Sequence, residues 1–394
     1  MQHGVGGFEC GEARGPVQIH PVRARKRAHL EAGLEQRRSA ARDVAVADDQ
    51  QTFHWHHCND MHTVTLQPSG HQFQVEEGEA VLAAALRQGF VLPYGCKNGA
   101  CGSCKGRILA GSVDYGVYQA KALTDEEKTQ GKALFCQAKP LSDLVLEART
   151  IGAAKDIQVK KLPCRVQKLE RLSEDAMLLQ LKLPANEKLV FLAGQYIEFL
   201  LKDGTRRSFS MASAPHDAEF VELHVRHVAG GQFTDHVFNK MKERDILRCE
   251  GPFGTFFLRE DSDKPIVFVA SGTGFAPIKA VIEHMFHKGI ARPATLYWGG
   301  RRPKDLYMNE LASRWPLKYV PVISDALPED NWTGRTGFVH RAVMEDFPDL
   351  SGYQVYACGV PIMVDSARKD FTTVCKLPED EFYADSFTTQ ADLA

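Results

Sequence analysis

From residue 61 onward the hydrophobic positions follow three successive rhythms. His62-Thr63-Val64-Thr65-Leu66 alternates, Pro68-Ser69-Gly70-His71 turns, and Phe73 and Val75 alternate again, which predicts a hairpin. Over 79–88, Val81, Leu82, Ala85 and Leu86 share one helical face, and Gly89 ends the run. Thr124-Asp125-Glu126-Glu127 has the form of a capping box. Leu144-Val145-Leu146-Glu147-Ala148 predicts a closing strand. Between 156 and 260 the pattern is short and of period two. Strands are predicted at 164–169, 177–183, 196–200 and 220–227, parted by turns such as Pro184-Ala185-Asn186 and Lys202-Asp203-Gly204. That spacing predicts a small β-barrel. From 263 the rhythm changes again. Pro265-Ile266-Val267-Phe268-Val269-Ala270 is continuously apolar, as a parallel strand covered on both faces requires. A helical stretch at 278–287 and strands at 294–298, 317–323 and 354–358 predict an open α/β sheet. The expected architecture is multi-domain, α+β followed by α/β, with units at 61–152, 156–260 and 263–394.

The first 60 residues obey none of these rhythms. Arg23, Arg25, Arg27, Arg37, Arg38 and Arg42 crowd a stretch with few apolar residues, so a disordered extension is expected over 1–60. Met61 directly precedes the first strand pattern, which makes it an alternative start. Glu31, Glu35, Asp43, Asp48 and Asp49 argue against an organellar transit peptide. His54, His56, His57 and Cys58 lack a second ligand group at metal spacing.

Composition removes several classes of function. A net charge of −2 offers no field for nucleic acid or an acidic membrane surface. No run of 18 or more apolar residues is long enough to span a bilayer. Ten cysteines in 394 residues are too few for a disulfide scaffold, and a reducing cytoplasm is the expected setting.

Four of those cysteines carry the chemistry. Tyr94-Gly95-Cys96-Lys97-Asn98-Gly99-Ala100-Cys101-Gly102-Ser103-Cys104, with Cys136 further on, has the spacing C-x4-C-x2-C and a distant Cys. This is the plant-type [2Fe–2S] pattern, in which two irons take four thiolates. A zinc ribbon would need a second C-x2-C knuckle. Cys96, Cys101, Cys104 and Cys136 are therefore the expected metal ligands. Hairpin, helix, cysteine loop and strands together resemble the β-grasp ferredoxin domain over roughly 90 residues.

Arg206-Arg207-Ser208-Phe209-Ser210 follows a turn at a strand end. Barrel, then α/β sheet, with this motif, resembles the ferredoxin–NADP reductase superfamily, whose flavin motif is Arg-x-Tyr-Ser/Thr. The resemblance implies that Arg207 pairs with the flavin diphosphate, Phe209 lies against the ring system and Ser210 bonds near its reactive edge. Phe209 stands where the family has tyrosine, so one hydrogen bond of about 1 kcal/mol is lost. His224, Val225 and Arg226 occupy the strand that in relatives meets ribose and phosphates. Gly230-Gly231-Gln232-Phe233-Thr234 resembles the family's turn into a helix, where free N–H groups hold a diphosphate. Gly251-Pro252-Phe253-Gly254 resembles the barrel-closing motif. FAD is the expected flavin, since relatives with the ferredoxin domain first generally carry it.

Gly272-Thr273-Gly274-Phe275-Ala276-Pro277 sits between the apolar strand and a helix, the context for a dinucleotide phosphate. Pro277 replaces the third glycine, as in the reductase family. By the same resemblance, Gly299, Arg301, Cys358 and Gly359 line the nicotinamide crevice, although Pro361 falls one place later than the family's Cys-Gly-Pro. Arg301, Arg302 and Lys304 leave the choice open between NADH, which is expected, and NADPH. Phe387, in Phe382-Tyr383-Ala384-Asp385-Ser386-Phe387, is the candidate aromatic beside the flavin; plain core packing is the alternative.

A nicotinamide gives two electrons as hydride and a [2Fe–2S] centre takes one at a time, so a flavin between them is the expected converter. No catalytic triad is expected. The resemblance implies an iron–sulfur flavoprotein oxidoreductase passing electrons from NAD(P)H through FAD and the cluster to a partner enzyme. The Tyr94-to-Cys104 run and Glu381-Phe382-Tyr383-Ala384-Asp385 are similar, over 61–394, to the CDP-6-deoxy-Δ3,4-glucoseen reductases, which serve a dehydrase. The alternative is the reductase component of a ring-hydroxylating dioxygenase or multicomponent monooxygenase. A ferredoxin-type carrier or redox sensor without flavin is the non-enzymatic reading.

Overall fold

The computed structural model describes residues 61–152, 157–217 and 219–388. The expected disordered extension over 1–60, and the group of His54, His56, His57 and Cys58, lie outside the described residues.

The first unit runs β1 (His62–Gln67), β2 (Gln72–Val75), α1 (Val81–Arg87), β3 (Lys105–Ala110), β4 (Val113–Asp114), α2 (Asp125–Thr129), β5 (Lys132–Leu134), β6 (Lys139–Pro140) and β7 (Leu144–Glu147). Its main sheet has the order β2-β1-β7-β3-β5, with β1 antiparallel to β2 and parallel to β7. The period-two residues Val64, Leu66, Phe73 and Val75 all point inward and pack with Val81, Leu82, Ala84 and Ala85 of α1. The capping box forms as expected: Glu127 N donates to Thr124 Oγ1 and Thr124 N to the Glu127 carboxylate.

The second unit comprises β8 (Lys160–Arg171), β9 (Ala176–Lys182), β10 (Tyr196–Leu200), β11 (Arg206–Ser210), β12 (Val221–Arg226), α3 (Gln232–Asn239) and β13 (Ile246–Phe253). The strand order is β11-β10-β13-β8-β9-β12. Beyond the end of β11, Met211 bridges to Leu223 of β12 and Ala212 N donates to Glu222 O at 2.7 Å. The two sheet edges thus meet, and backbone groups that an open edge would leave unpaired are satisfied. Leu179, Leu181, Ile197, Phe199, Leu223 and Val225 fill the interior.

The third unit contains β14 (Ile266–Ser271), α4 (Phe275–Lys288), β15 (Ala294–Gly300), α5 (Asn309–Ser313), β16 (Lys318–Ile323), β17 (Arg335–Thr336), α6 (Val339–Asp346), β18 (Gln354–Gly359), α7 (Pro361–Thr373) and β19 (Phe382–Ser386). The sheet β17-β16-β15-β14-β18-β19 is parallel throughout. Every residue from Ile266 to Ala270 is buried, as the apolar run requires. Helix α4 begins three residues earlier than its apolar pattern suggests, because Pro277 stands in its first turn, where proline is tolerated.

Candidate functional site

The cysteine loop leaves α1 and returns into β3, and Cys136 follows β5, so tertiary packing brings the distant fourth thiol to the other three. The sulfurs fall into two pairs. Cys96 and Cys101 exchange bonds, each backbone N lying 3.3 Å from the other's Sγ. Cys104 and Cys136 form the second pair, each thiol shifting the other's proton affinity. A hydrogen bond from Cys101, helped by N–H groups of Asn98, Ala100 and Cys101, lowers the Cys96 thiol to about 7. Among the described residues no three His, Cys, Asp or Glu side chains converge on a point. A single ion is poorly served by that arrangement, whereas two bridged irons call for two thiolates each. Gly99 has φ +80° and its Cβ position lies 2.8 Å from Val117 O, so only glycine lets the loop pass there.

The loop is fastened to both neighbouring units. Tyr94 N donates to Thr255 Oγ1 at 2.9 Å, and Thr255 N donates back to Tyr94 O at 3.1 Å. Tyr196 OH donates to Gly95 O at 2.8 Å. Lys97 Nζ lies 2.8 Å from Glu198 and 3.6 Å from the Phe253 ring centre. Ser103 Oγ donates to Ala384 O of β19 at 3.4 Å. One residue further along β19, Asp385 Oδ2 accepts from Ser210 Oγ of the barrel at 3.0 Å. Burial in this joint pushes the Asp385 carboxyl up to about 7. Cys358 pairs in register with Asp385 on the adjacent strand, and burial raises its thiol well above the usual range.

The residues expected around a flavin divide into two groups. Arg207 donates only to the neighbouring carbonyl of Arg206, at 2.8 Å, and has no ion pair among the described residues. Phe209 is half-buried, its ring 5.8 Å from Phe199 and 5.2 Å from Phe233. Gly231 caps α3, whose first N–H groups are free of helical partners. An unspent guanidinium, a half-open aromatic face and a helix N-terminus suit a flavin diphosphate and ring. The second group points its side chains inward. Val225 and Phe233 belong to the barrel core, so they can offer only backbone groups. Thr234 Oγ1 is spent within its own turn, on Val228 and Gly231. His224 is buried between Glu222 and Tyr307, with contacts of 3.1 and 3.0 Å.

Across the third sheet lies a cleft of about 400 Å³ lined by Ser271, Gly272, Thr273, Gly299, Arg301 and Ser324, among others. The N-terminal ends of α4, α6 and α7 all face it, the last two through Phe338, Val339, Val360 and Ile362. Three helix N-termini around glycine backbone favour bound phosphate. A Cβ at Gly274 would overlap the Cys358 carbonyl, so the glycine lets the turn seat on β18. Arg226 belongs to this cleft as well: its Nε pairs with Asp175 at 3.1 Å and its guanidinium lies over Gly272. Pro277 is buried in α4. Phe387 N donates to Gly359 O at 2.8 Å, and its ring packs against the sheet core. Asp385, which lies between the cysteine loop and the barrel, was not singled out by the sequence. The sequence marks it only as a member of the Glu381-Phe382-Tyr383-Ala384-Asp385 and Phe382-to-Phe387 runs.

Comparison with known proteins gives a consistent picture. Family models match in the order found here: a 2Fe-2S iron-sulfur cluster binding domain at 64–141, an oxidoreductase FAD-binding domain at 163–258 and an oxidoreductase NAD-binding domain at 268–369. The CDP-6-deoxy-L-threo-D-glycero-4-hexulose-3-dehydrase reductase of Yersinia pestis is 43% identical over 329 residues, covering 82% of this chain and 98% of that protein. The phenol hydroxylase P5 protein of Acinetobacter pittii is 37% identical over 340 residues, covering 84% and 95%. Among solved structures, the Amycolatopsis cytochrome P450 reductase GcoB is 32% identical with a TM-score of 0.66, covering 83% of this chain and 99% of that one.

Proposed function

This chain belongs to the iron–sulfur flavoprotein reductases in which a ferredoxin-type domain precedes FAD- and NAD-binding domains, and on that premise we propose that it reduces the dehydrase of a CDP-6-deoxyhexulose deoxygenation. When bound, FAD supplies the conversion of a hydride pair into single electrons, and a [2Fe–2S] centre carries these to the partner. The supporting observation is the strand β19, which receives Ser103 of the cysteine loop at Ala384 and Ser210 of the barrel at Asp385. On this reading both redox sites would abut one short strand.

The working units are taken as 61–152, 156–260 and 263–394. Cys96 and Cys101 would hold one iron, Cys104 and Cys136 the other. Arg207 and the N–H groups of Gly231, Gln232, Phe233 and Thr234 would hold the flavin diphosphate, with Phe209 against the ring and Ser210 at its reactive edge. The nicotinamide nucleotide would take the cleft lined by Gly272, Thr273, Gly299 and Arg301; Gly274, Cys358 and Gly359, also expected there, are buried beside it and would act through packing. The chain's own work is placement and exclusion of water; no side chain is required as a nucleophile. A reducing cytoplasm suits thiol ligands, and no helix among the described residues is long and apolar enough to cross a membrane.

The dehydrase is favoured over an oxygenase by 43% against 37% identity at similar coverage. Reconstitution decides between them. With NADH, the chain should support turnover of the CDP-6-deoxyhexulose by its 3-dehydrase. Turnover with a phenol hydroxylase oxygenase alone would overturn the assignment.

A further inference from the structure

Strand β12 alternates, and its even positions form a polar face. Leu223 and Val225 belong to the barrel core, whereas Glu222, His224 and Arg226 meet the nucleotide-binding unit. Lys279, buried on α4, places its Nζ 3.3 Å from Glu222 and donates to Ala212 O at 3.2 Å. Glu283, one turn along α4, holds the same ammonium at 3.0 Å. His224 is buried and lies 3.0 Å from Tyr307 OH, and Tyr307 lines the nucleotide cleft. The chemistry of these groups sets the direction of each bond. Burial works against ionisation of Glu222, but the bond from His224 and the charge of Lys279 outweigh it and hold the carboxyl down at about 2. A carboxylate only accepts, so His224 donates to it from Nε2, at 3.1 Å. Burial lowers the proton affinity of His224. A neutral imidazole has one donor, so Nδ1 accepts from the Tyr307 hydroxyl. Tyr307 then packs edge-on against Trp298, ring centres 5.1 Å apart, and Trp298 Nε1 donates to Gly272 O at 3.0 Å.

One continuous chain of contacts thus runs from Ala212, two residues beyond Ser210, through Lys279, Glu222, His224 and Tyr307 to the glycine turn of the cleft. Buried ion pairs are weak sources of stability, and their best-attested use is to select one register among several. We infer that Lys279 is a positioning residue that registers the nucleotide cleft against the flavin strand, acting through Glu222, His224 and Tyr307. This rests on the cleft assignment above. Lys279 touches no reacting atom and passes no proton. Its ammonium ties Glu222 and Ala212 to α4, and Glu222 holds the His224 ring toward Tyr307. Hydride passage depends on such register, since a displacement of about 1 Å can cost about a hundredfold in rate.

The test mixes the flavin- and cluster-loaded full chain with NADH in a stopped-flow instrument and, separately, titrates it with ADP-ribose, which lacks the nicotinamide. Lys279→Met should slow flavin reduction at saturating NADH by about tenfold or more and weaken the long-wavelength charge-transfer absorption of nicotinamide against flavin. Its ADP-ribose affinity should stay within about twofold of the parent, a loss in rate without a loss in binding. Lys279→Arg keeps the cation and should restore most of the rate and of the absorption. Tyr307→Phe removes the far end of the chain and should weaken the same absorption; it decides the matter if Lys279→Met fails to load. A loaded Lys279→Met chain with the parent's reduction rate and absorption would overturn the inference. So would an ADP-ribose affinity that falls in step with the rate, because Lys279 would then only support the fold of the cleft. An unaltered chain that binds no ADP-ribose would instead overturn the cleft assignment.

Discussion

Ser210 Oγ donates to Asp385 Oδ2 at 3.0 Å, tying the last residue of the barrel strand β11 to the edge strand of the nucleotide sheet 175 residues later. The bond fixes the serine expected at the flavin's reactive edge. It also places a carboxyl whose proton is held up to about 7 at the joint of all three units.

The first prediction concerns that proton. An aspartate is ordinarily ionised above about 4. With the folded-state value raised to about 7, the folded chain binds more protons than the unfolded chain between those limits. Stability therefore falls as pH rises through this window and levels off above it. Asp385→Asn keeps an acceptor for Ser210 and removes the ionisation. It should be more stable than the parent by about 4 kcal/mol near pH 8 and nearly equal near pH 4. Denaturant unfolding at both pH values checks the sign.

The second concerns Gly274. A side chain there overlaps the Cys358 carbonyl and lies 2.7 Å from Gly359 Cα. Gly274→Ala must push the turn off β18. A loss of about 1–3 kcal/mol of stability is expected, together with weakened nicotinamide binding. Calorimetry and NADH titration would reveal both.

How far the sequence reached depends on the range of the interaction that carried each feature. The cysteine spacing, the capping box and the Gly-Thr-Gly turn are local, and chain order alone displays them. Strand β19 was not read as a strand, because Phe382-Tyr383-Ala384-Asp385-Ser386 mixes apolar and polar residues without strict alternation. Its pairing with β18 is decided by tertiary packing. In β12, alternation separates Leu223 and Val225 from His224 and Arg226, but it does not say what each face meets. Only the fold shows His224 against Tyr307 and Arg226 over Gly272.

The third prediction concerns the seam that carries the cysteine loop. Tyr196 OH donates to Gly95 O at 2.8 Å in a buried setting. Tyr196→Phe leaves that carbonyl unsatisfied, at a cost of about 1–3 kcal/mol. Stopped-flow measurements should find flavin reduction by NADH unchanged and the subsequent cluster reduction slowed.

The fourth concerns coenzyme choice. Arg302 is committed to Asp330 at 2.5 Å, and Lys304 to Glu174 at 2.8 Å. Arg301 reaches Asp305 only at 4.0 Å and remains largely exposed. With two of three cations spent, a 2′-phosphate gains little, and NADH should be favoured over NADPH by about tenfold or more in kcat/KM, on the order of 1.4 kcal/mol. Asp330→Asn releases Arg302 and should narrow the ratio.

The most direct test of the whole account is an anaerobic titration with NADH, followed by visible absorption and EPR, on the loaded full chain and on Cys101→Ser. The unaltered chain should first lose flavin absorption and then develop the EPR signal of a reduced [2Fe–2S] centre. Cys101→Ser should keep NADH-to-ferricyanide turnover at the flavin and show no such signal. A fully loaded unaltered chain whose flavin bleaches while the iron–sulfur centre stays oxidised would contradict the route.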